Sequence, residues 1–111
     1  MNDSALSLLG LCRRAGKMSM GHDACKLALN AGKAELCIIC SDVSERLENE
    51  ISFLAEKSGT VIYDVSYTMF DIQQAVGFKA GVFTVDDAGF AKSVINKLKD
   101  NKSGKERVYG K

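Results

Sequence analysis

The chain has no apolar run approaching the roughly 20 residues that a bilayer-spanning helix needs. Its opening stretch MNDSALSLLGLCRRAG carries its positive charges after the apolar residues rather than before them. Neither a transmembrane segment nor a secretory signal peptide is expected. A dominant sign of charge is also missing. Fifteen Lys and Arg against fourteen Asp and Glu leave a formal charge of +1, so bulk charge does not announce a nucleic-acid partner as a strongly basic domain would. Histidine occurs once, at His22, with no serine beside it. A Ser or Cys nucleophile would have no other imidazole as its base, and nucleophilic catalysis is not expected. Proline is absent and no internal repeat is visible; neither absence carries a functional consequence.

What is present is ordinary globular composition. Apolar residues make up 46% and charged residues 26% of 111 positions, which excludes a disordered or fibrous chain and implies one domain with its own core. Residues 1–100 are expected to form that domain. From Asp100 the apolar period is lost, and residues 101–111 read as a basic, flexible C-terminal tail. Four cysteines, Cys12, Cys25, Cys37 and Cys40, sit among apolar neighbours rather than at disulfide-framework spacing. Reduced thiols and a cytoplasmic location follow as expectations.

The apolar periodicity organises the chain. Behind an Asn2-Asp3-Ser4 cap, Ala5, Leu8, Leu9 and Cys12 recur with helical spacing up to Gly16. Lys17 to Met20 is a short extended link. Gly21-His22-Asp23 opens a second helix with Ala24, Leu27, Ala28 and Ala31 inward and His22, Lys26, Asn30 and Lys33 opposite, stopped by Gly32. Leu36 to Cys40 does not alternate, as suits a strand covered on both faces. Ser41 to Ser44 caps a third helix with Leu47, Ile51, Leu54 and Ala55 inward, ended by Gly59. Val61–Val65 is the next strand. Thr68 with Asp71 starts a short helix broken at Gly77, Val82–Val85 is the last strand, and Asp86 or Asp87 caps a helix with Ala91, Val94, Ile95 and Leu98 inward. Alternating helices and strands imply helices on both faces of a small sheet.

Several motifs carry less chemistry than they suggest. Cys37 and Cys40 form a CxxC, but three residues apart on a strand they point to opposite faces, and no second pair lies at zinc-ribbon spacing. Buried thiols are the better reading. Gly10 to Lys17 echoes a phosphate loop with the wrong glycine spacing, and Met18 stands where Ser or Thr would hold magnesium. Glu45, Glu48, Glu50 and Glu56 read as a solvated helix face, and Met18 and Met20 as packing residues. No metal, cofactor or small-molecule substrate is expected.

Charge is nevertheless unevenly placed. Residues 13–33 hold Arg13, Arg14, Lys17, Lys26 and Lys33 against Asp23 alone, whereas residues 42–56 hold five carboxylates against Arg46. A helix start at Gly21 beside Lys17 and Lys26 is a sound place for a phosphate backbone; a solvated helix face with a basic tail fits the same charges.

The segments LLGLCRRAGKMSMG, GKAELCIICSDVS, the Thr68–Gly77 helix and TVDDAGFAKSV together resemble the ribosomal-protein superfamily of L-seven-Ae and L-thirty-e type, in particular its small bacterial YlxQ-type members. The resemblance spans about residues 5–98 and includes the spacing Gly21, Gly32, Ala34 followed by an apolar strand and Asp-x-Ser. It implies an α/β fold, a three-layer α/β/α sandwich around a small mixed four-stranded sheet. In the best-known members this domain binds kink-turn RNA and has no enzyme activity.

The family's RNA-facing helix start falls on Gly21, His22, Asp23 and Ala24, and its motif lysine on Leu27, with Lys26 displaced by one. Where kink-turn readers place Asn-Glu, this chain has Asp23-Ala24; Asp accepts but does not donate, which compromises bidentate reading of a purine edge. A second RNA-facing loop falls on Gly77, Phe78, Lys79 and Ala80, where Phe78 either stacks on a base or packs at the core edge, and Lys79 meets phosphate. With Arg14 and Lys17 these form the expected RNA-binding set. The expectation is a monomeric, non-enzymatic binder of structured ribosomal or regulatory RNA, with the ribosome among its partners and no membrane role. The rival is a protein-interaction module on the same scaffold.

Overall fold

The computed structural model describes residues 3–107. Along the chain run α1 (Ser4–Arg14), β1 (Met18–Met20), α2 (His22–Asn30), β2 (Leu36–Ile39), α3 (Glu45–Ser58), β3 (Val61–Val65), α4 (Met69–Val76), β4 (Val82–Val85), α5 (Ala88–Asn101) and β5 (Gly104–Glu106). The five strands form one sheet in the order β1-β4-β2-β3-β5, with β2 and β3 parallel and every other pairing antiparallel. Every residue of β2 and β4 is buried, Thr84 included. That accounts for the non-alternating apolar run at Leu36 to Cys40.

Side-chain alternation splits the core into two layers. Leu36, Ile38, Cys40, Phe83 and Val85 point toward α1, α4 and α5, where they meet Leu9, Cys12, Ile72, Val94 and Leu98. Cys37, Ile39, Ile62 and Val82 point toward α2 and α3, against Cys25, Ala28, Leu29, Ile51 and Ala55. The fold is thus the three-layer α/β/α sandwich, with five strands where four were expected. Cys37 and Cys40 lie on opposite faces, and all four cysteines are buried and free.

Caps explain most boundaries. Asp3 accepts from the Ala5 and Leu6 N–H groups at α1, Ser44 caps α3, and Asp87, rather than Asp86, caps α5. At α4 Thr68 and Asp71 form a complete capping box. Asn2 lies outside the described residues.

Two expectations are corrected. In α2 the buried stripe is Cys25, Ala28 and Leu29, one position away from the expected Ala24, Leu27, Ala28 and Ala31; Leu27 is 72% exposed. Both stripes share Ala28. The helix takes the phase that seats Cys25 and Leu29 against the α3 side of the sheet. The second correction concerns the tail, which is ordered through Arg107. Its β5 pairs with β3, and the Arg107 guanidinium donates to Asp64 (2.9 Å from Nε), Glu48 (3.1 Å) and Ser52. Residues 108–111 lie outside the described residues.

Candidate nucleic-acid interface

The end of the sheet where β1 leaves and β4 enters brings three segments together. Gly21 adopts φ 93°, a conformation that side-chain-bearing residues rarely take, and its N–H donates to the Val82 carbonyl (3.0 Å). This turn sets the start of α2 beside the loop before β4. No side chain caps α2, so its first N–H groups, at the positive end of the helix dipole, have no side-chain acceptor.

The neighbouring loop begins at Gly77, the left-handed C-cap of α4. Phe78 follows, 41% exposed. Its ring edge lies against Gly21, with Cε1 3.9 Å from where a Cβ would stand. The Arg13 guanidinium sits over the same ring, 5.2 Å from the centroid, and also donates to the Val76 carbonyl (3.1 Å). Phe78 is therefore half-buried on protein, with the rest of its ring exposed. Lys79 is exposed, and Ala80 is buried with its carbonyl accepting from the Cys40 thiol (3.7 Å). Close packing of Val43 and Met69 over Gly81 holds the end of the loop.

The expected residues divide into groups. Gly21, His22, Asp23, Ala24, Gly77, Phe78 and Lys79 share this end, with the Asp23 side chain 99% exposed. Lys17 stands at the opposite end of β1, where its carbonyl accepts from the Asp86 N–H (2.8 Å). Four residues of extended chain, about 13 Å, separate it from Gly21. Lys17 and Lys33 flank Asp86 instead, whose carboxylate accepts from Ser19 (2.6 Å) and Thr84 (2.7 Å) and tacks the edge strand to β4. Arg14 is exposed at the end of α1. Leu27 lies on a shallow groove with Ser19, Ala24, Ala28, Ala31 and Lys33.

Lys26 and His22 are not free. Glu50 of α3 accepts from His22 Nε2 (3.0 Å) and Lys26 Nζ (3.1 Å), and the Lys26 and then the His22 hydrogen bond hold its carboxyl below the usual carboxylate range. Sequence reasoning missed this Glu50 pairing, because only the tertiary fold sets α3 beside α2. It also missed Arg13. Gly10 lets α1 approach α4 closely, a Cβ there standing 2.8 Å from the Ala75 carbonyl, and this tertiary packing rather than the sequence pattern brings Arg13 over Phe78.

Other chemistry is sparse. Burial pushes the Cys12 thiol up to about 11 and the Cys40 thiol up to about 12; a hydrogen bond with Cys25, then burial, raises that of Cys37. Such thiols are poor nucleophiles and ligands. Among the described residues no group of three His, Cys, Asp or Glu side chains could hold a metal, and no helix is long and apolar enough to cross a membrane.

Comparison with known proteins places this surface in context. The chain is 29% identical over 92 residues to "RNA-binding protein YlxQ" of Enterococcus faecium, covering 79% of this chain and 84% of that protein. It is 31% identical over 99 residues to "Large ribosomal subunit protein eL8" of Haloquadratum walsbyi, covering 86% and 82%. A solved structure of a Bacillus halodurans protein of unknown function shares the fold, with TM-score 0.81 at 24% identity over 88% of this chain and 99% of that one. The family model for ribosomal protein L7Ae/L30e/S12e/Gadd45 matches residues 3–95, and with the capped helices, mixed sheet and glycine-led α2 start described above, this chain belongs to that family.

Proposed function

We propose that this chain is a non-enzymatic, monomeric, cytoplasmic RNA-binding protein that engages structured RNA, with a kink-turn or related internal loop as its target class. The observation that carries this reading is the Arg13–Phe78–Gly21 cluster beside the uncapped start of α2. It offers a partly exposed aromatic ring, a guanidinium and helix-start N–H groups within one surface. Rings of this kind stack on splayed bases, and helix starts take phosphate. The names of the relatives, an RNA-binding protein and ribosomal proteins, support the same direction. Base-edge readout is weak here, because Asp23 and Ala24 offer no amide to donate to and accept from one purine edge. Phosphate and stacking contacts therefore supply most of the affinity.

Crosslinking in cells tests this reading, with sequencing of the recovered RNA and mapping of the crosslinked peptides. Structured RNA joined to peptides containing residues 21–27 and 77–80 is the expected result. Absence of RNA, or crosslinks confined to α5, would overturn it. A second reading, a protein-docking module, is favoured by one observation: Leu27, where the family's motif lysine falls, is 72% exposed on the Ala24–Ala31 groove.

A further inference from the structure

Glu50 is placed to compete with RNA. His22 and Lys26 are one turn apart on α2 and point to the same side, toward α3. Glu50 answers both with separate oxygens, Oε1 on His22 (3.0 Å) and Oε2 on Lys26 (3.1 Å). Arg46, one turn earlier on α3, lines the same cleft with His22, Ser44 and Leu47. His22 and Lys26 thus meet Glu50 at the edge of a cleft that Arg46 also lines, while the fully exposed Asp23 carboxylate stands farther from His22, 3.9 Å from its Nδ1. Two acceptor oxygens bridging two donors is also what a phosphate would present there.

The contact is not buried. His22, Lys26 and Glu50 side chains are 43%, 39% and 38% exposed, and ion pairs this open are weak and exchangeable. A competing anion can displace such a carboxylate.

We propose that Glu50 sets the RNA affinity of this surface by occupying His22 and Lys26, so that a phosphate reaches them only by displacing the carboxylate. The proposal rests on the RNA-binding reading above. It explains how a segment rich in basic residues is kept weakly attractive, through one acidic residue on a different helix. Lys26 is then a latent contact, and its removal from the wild type changes little.

The test measures binding of a consensus kink-turn RNA and of a plain duplex of equal length, at about 0.05 M and about 0.2 M salt, where phosphate contacts dominate the salt response. The proteins are the full chain, Glu50→Gln, Glu50→Ala, Lys26→Gln and the Glu50→Gln/Lys26→Gln pair. Glu56→Gln, an exposed change of the same charge on the same helix, controls for net charge, and Phe78→Ala for the RNA surface itself. Glu50→Gln is expected to tighten both RNAs about two- to fivefold, the scale of an exposed ion pair. The logarithmic salt slope should steepen by about 0.7 to 0.9 for each phosphate newly met. Glu56→Gln should do neither, and adding Lys26→Gln should remove the gain. Equal effects of Glu50→Gln and Glu56→Gln would overturn the proposal, as would weaker binding in both Glu50 variants, since Glu50 would then be positioning the cations. If Phe78→Ala weakens binding while Glu50→Gln leaves it unchanged, the RNA reading stands and this proposal alone fails. If the wild type binds neither RNA, binding gained by Glu50→Gln supports the proposal, and its absence overturns both.

Discussion

Replacing Phe78 separates stacking from charge at the surface that carries the functional reading. The ring is 41% exposed, so Phe78→Ala forfeits roughly half of the 3–5 kcal/mol lost on truncating a fully buried phenyl. A destabilisation of about 1.5–2.5 kcal/mol follows, with about 0.5–1 kcal/mol more from the Arg13 contact at this exposure. Phe78→Leu keeps most of the apolar contact beside Gly21 and loses only the π-face, and it should melt within a few degrees of the wild type. Stacking one base is worth about 1–3 kcal/mol, or about fivefold to 150-fold in Kd. Both variants should therefore weaken RNA binding within that range. Because no phosphate contact is removed, the salt slope should stay unchanged. Fluorescence titration of wild type, Phe78→Ala and Phe78→Leu at two salt concentrations, with thermal melts alongside, reads every term. Wild-type affinity in Phe78→Leu would refute base stacking at this position and leave Phe78 as a core-edge residue.

Native Cys12, Cys37 and Cys40 should react slowly with thiol reagents at neutral pH and rapidly after unfolding, since burial raises the first and last to about 11 and about 12 and their common surroundings are apolar; stoichiometric zinc in the purified protein would contradict this. Tyr67, whose hydroxyl donates to Asp3 (2.7 Å), is pushed up to about 12 chiefly by burial. The unfolded chain loses this proton first, so folding stability should be intact below pH 10 and fall as pH rises toward about 12. Tyr67→Phe should flatten that alkaline limb in pH-dependent melts. Arg107→Ala should leave Asp64 without its paired donor and cost about 1–2 kcal/mol, with faster hydrogen exchange confined to β5 and its β3 partner; an unchanged melt would mean that the final strand is held by its backbone pairing alone.

Elements defined by burial or by caps are readable from the residues; elements defined by distant partners are not. β2, β3 and β4 are apolar runs bounded by helix stops and caps, and Thr68 with Asp71 fixes the start of α4 within one turn. The phase of α2 is ambiguous because two stripes, Ala24-Leu27-Ala28 and Cys25-Ala28-Leu29, have the same spacing; only the neighbouring α3 decides between them. β5 is Gly-Lys-Glu, with no apolar pattern, and is defined by its pairing with β3 and by Arg107 reaching Asp64, Glu48 and Ser52 on two other elements. The site divides the same way. Gly21 and Gly77 announce themselves by their positions at helix ends, whereas Arg13 over Phe78 and Glu50 between His22 and Lys26 exist only once separate helices are packed.

The central claim is that the α2 start and the Gly77–Gly81 loop bind structured RNA through phosphate and stacking contacts with little base-edge readout. Its most direct measurement is titration of the wild type and of Asp23→Asn/Ala24→Glu/Leu27→Lys against a consensus kink-turn and a plain duplex at two salt concentrations. The wild type should bind both with a measurable salt dependence and prefer the kink-turn less than about tenfold, about 1.4 kcal/mol. The triple variant, with an amide, a carboxylate acceptor and a lysine donor restored for base-edge contacts each worth about 1–3 kcal/mol, should sharpen that preference more than it changes duplex binding. A wild type that already prefers the kink-turn about a thousandfold, about 4 kcal/mol, or that binds neither RNA, would contradict the account.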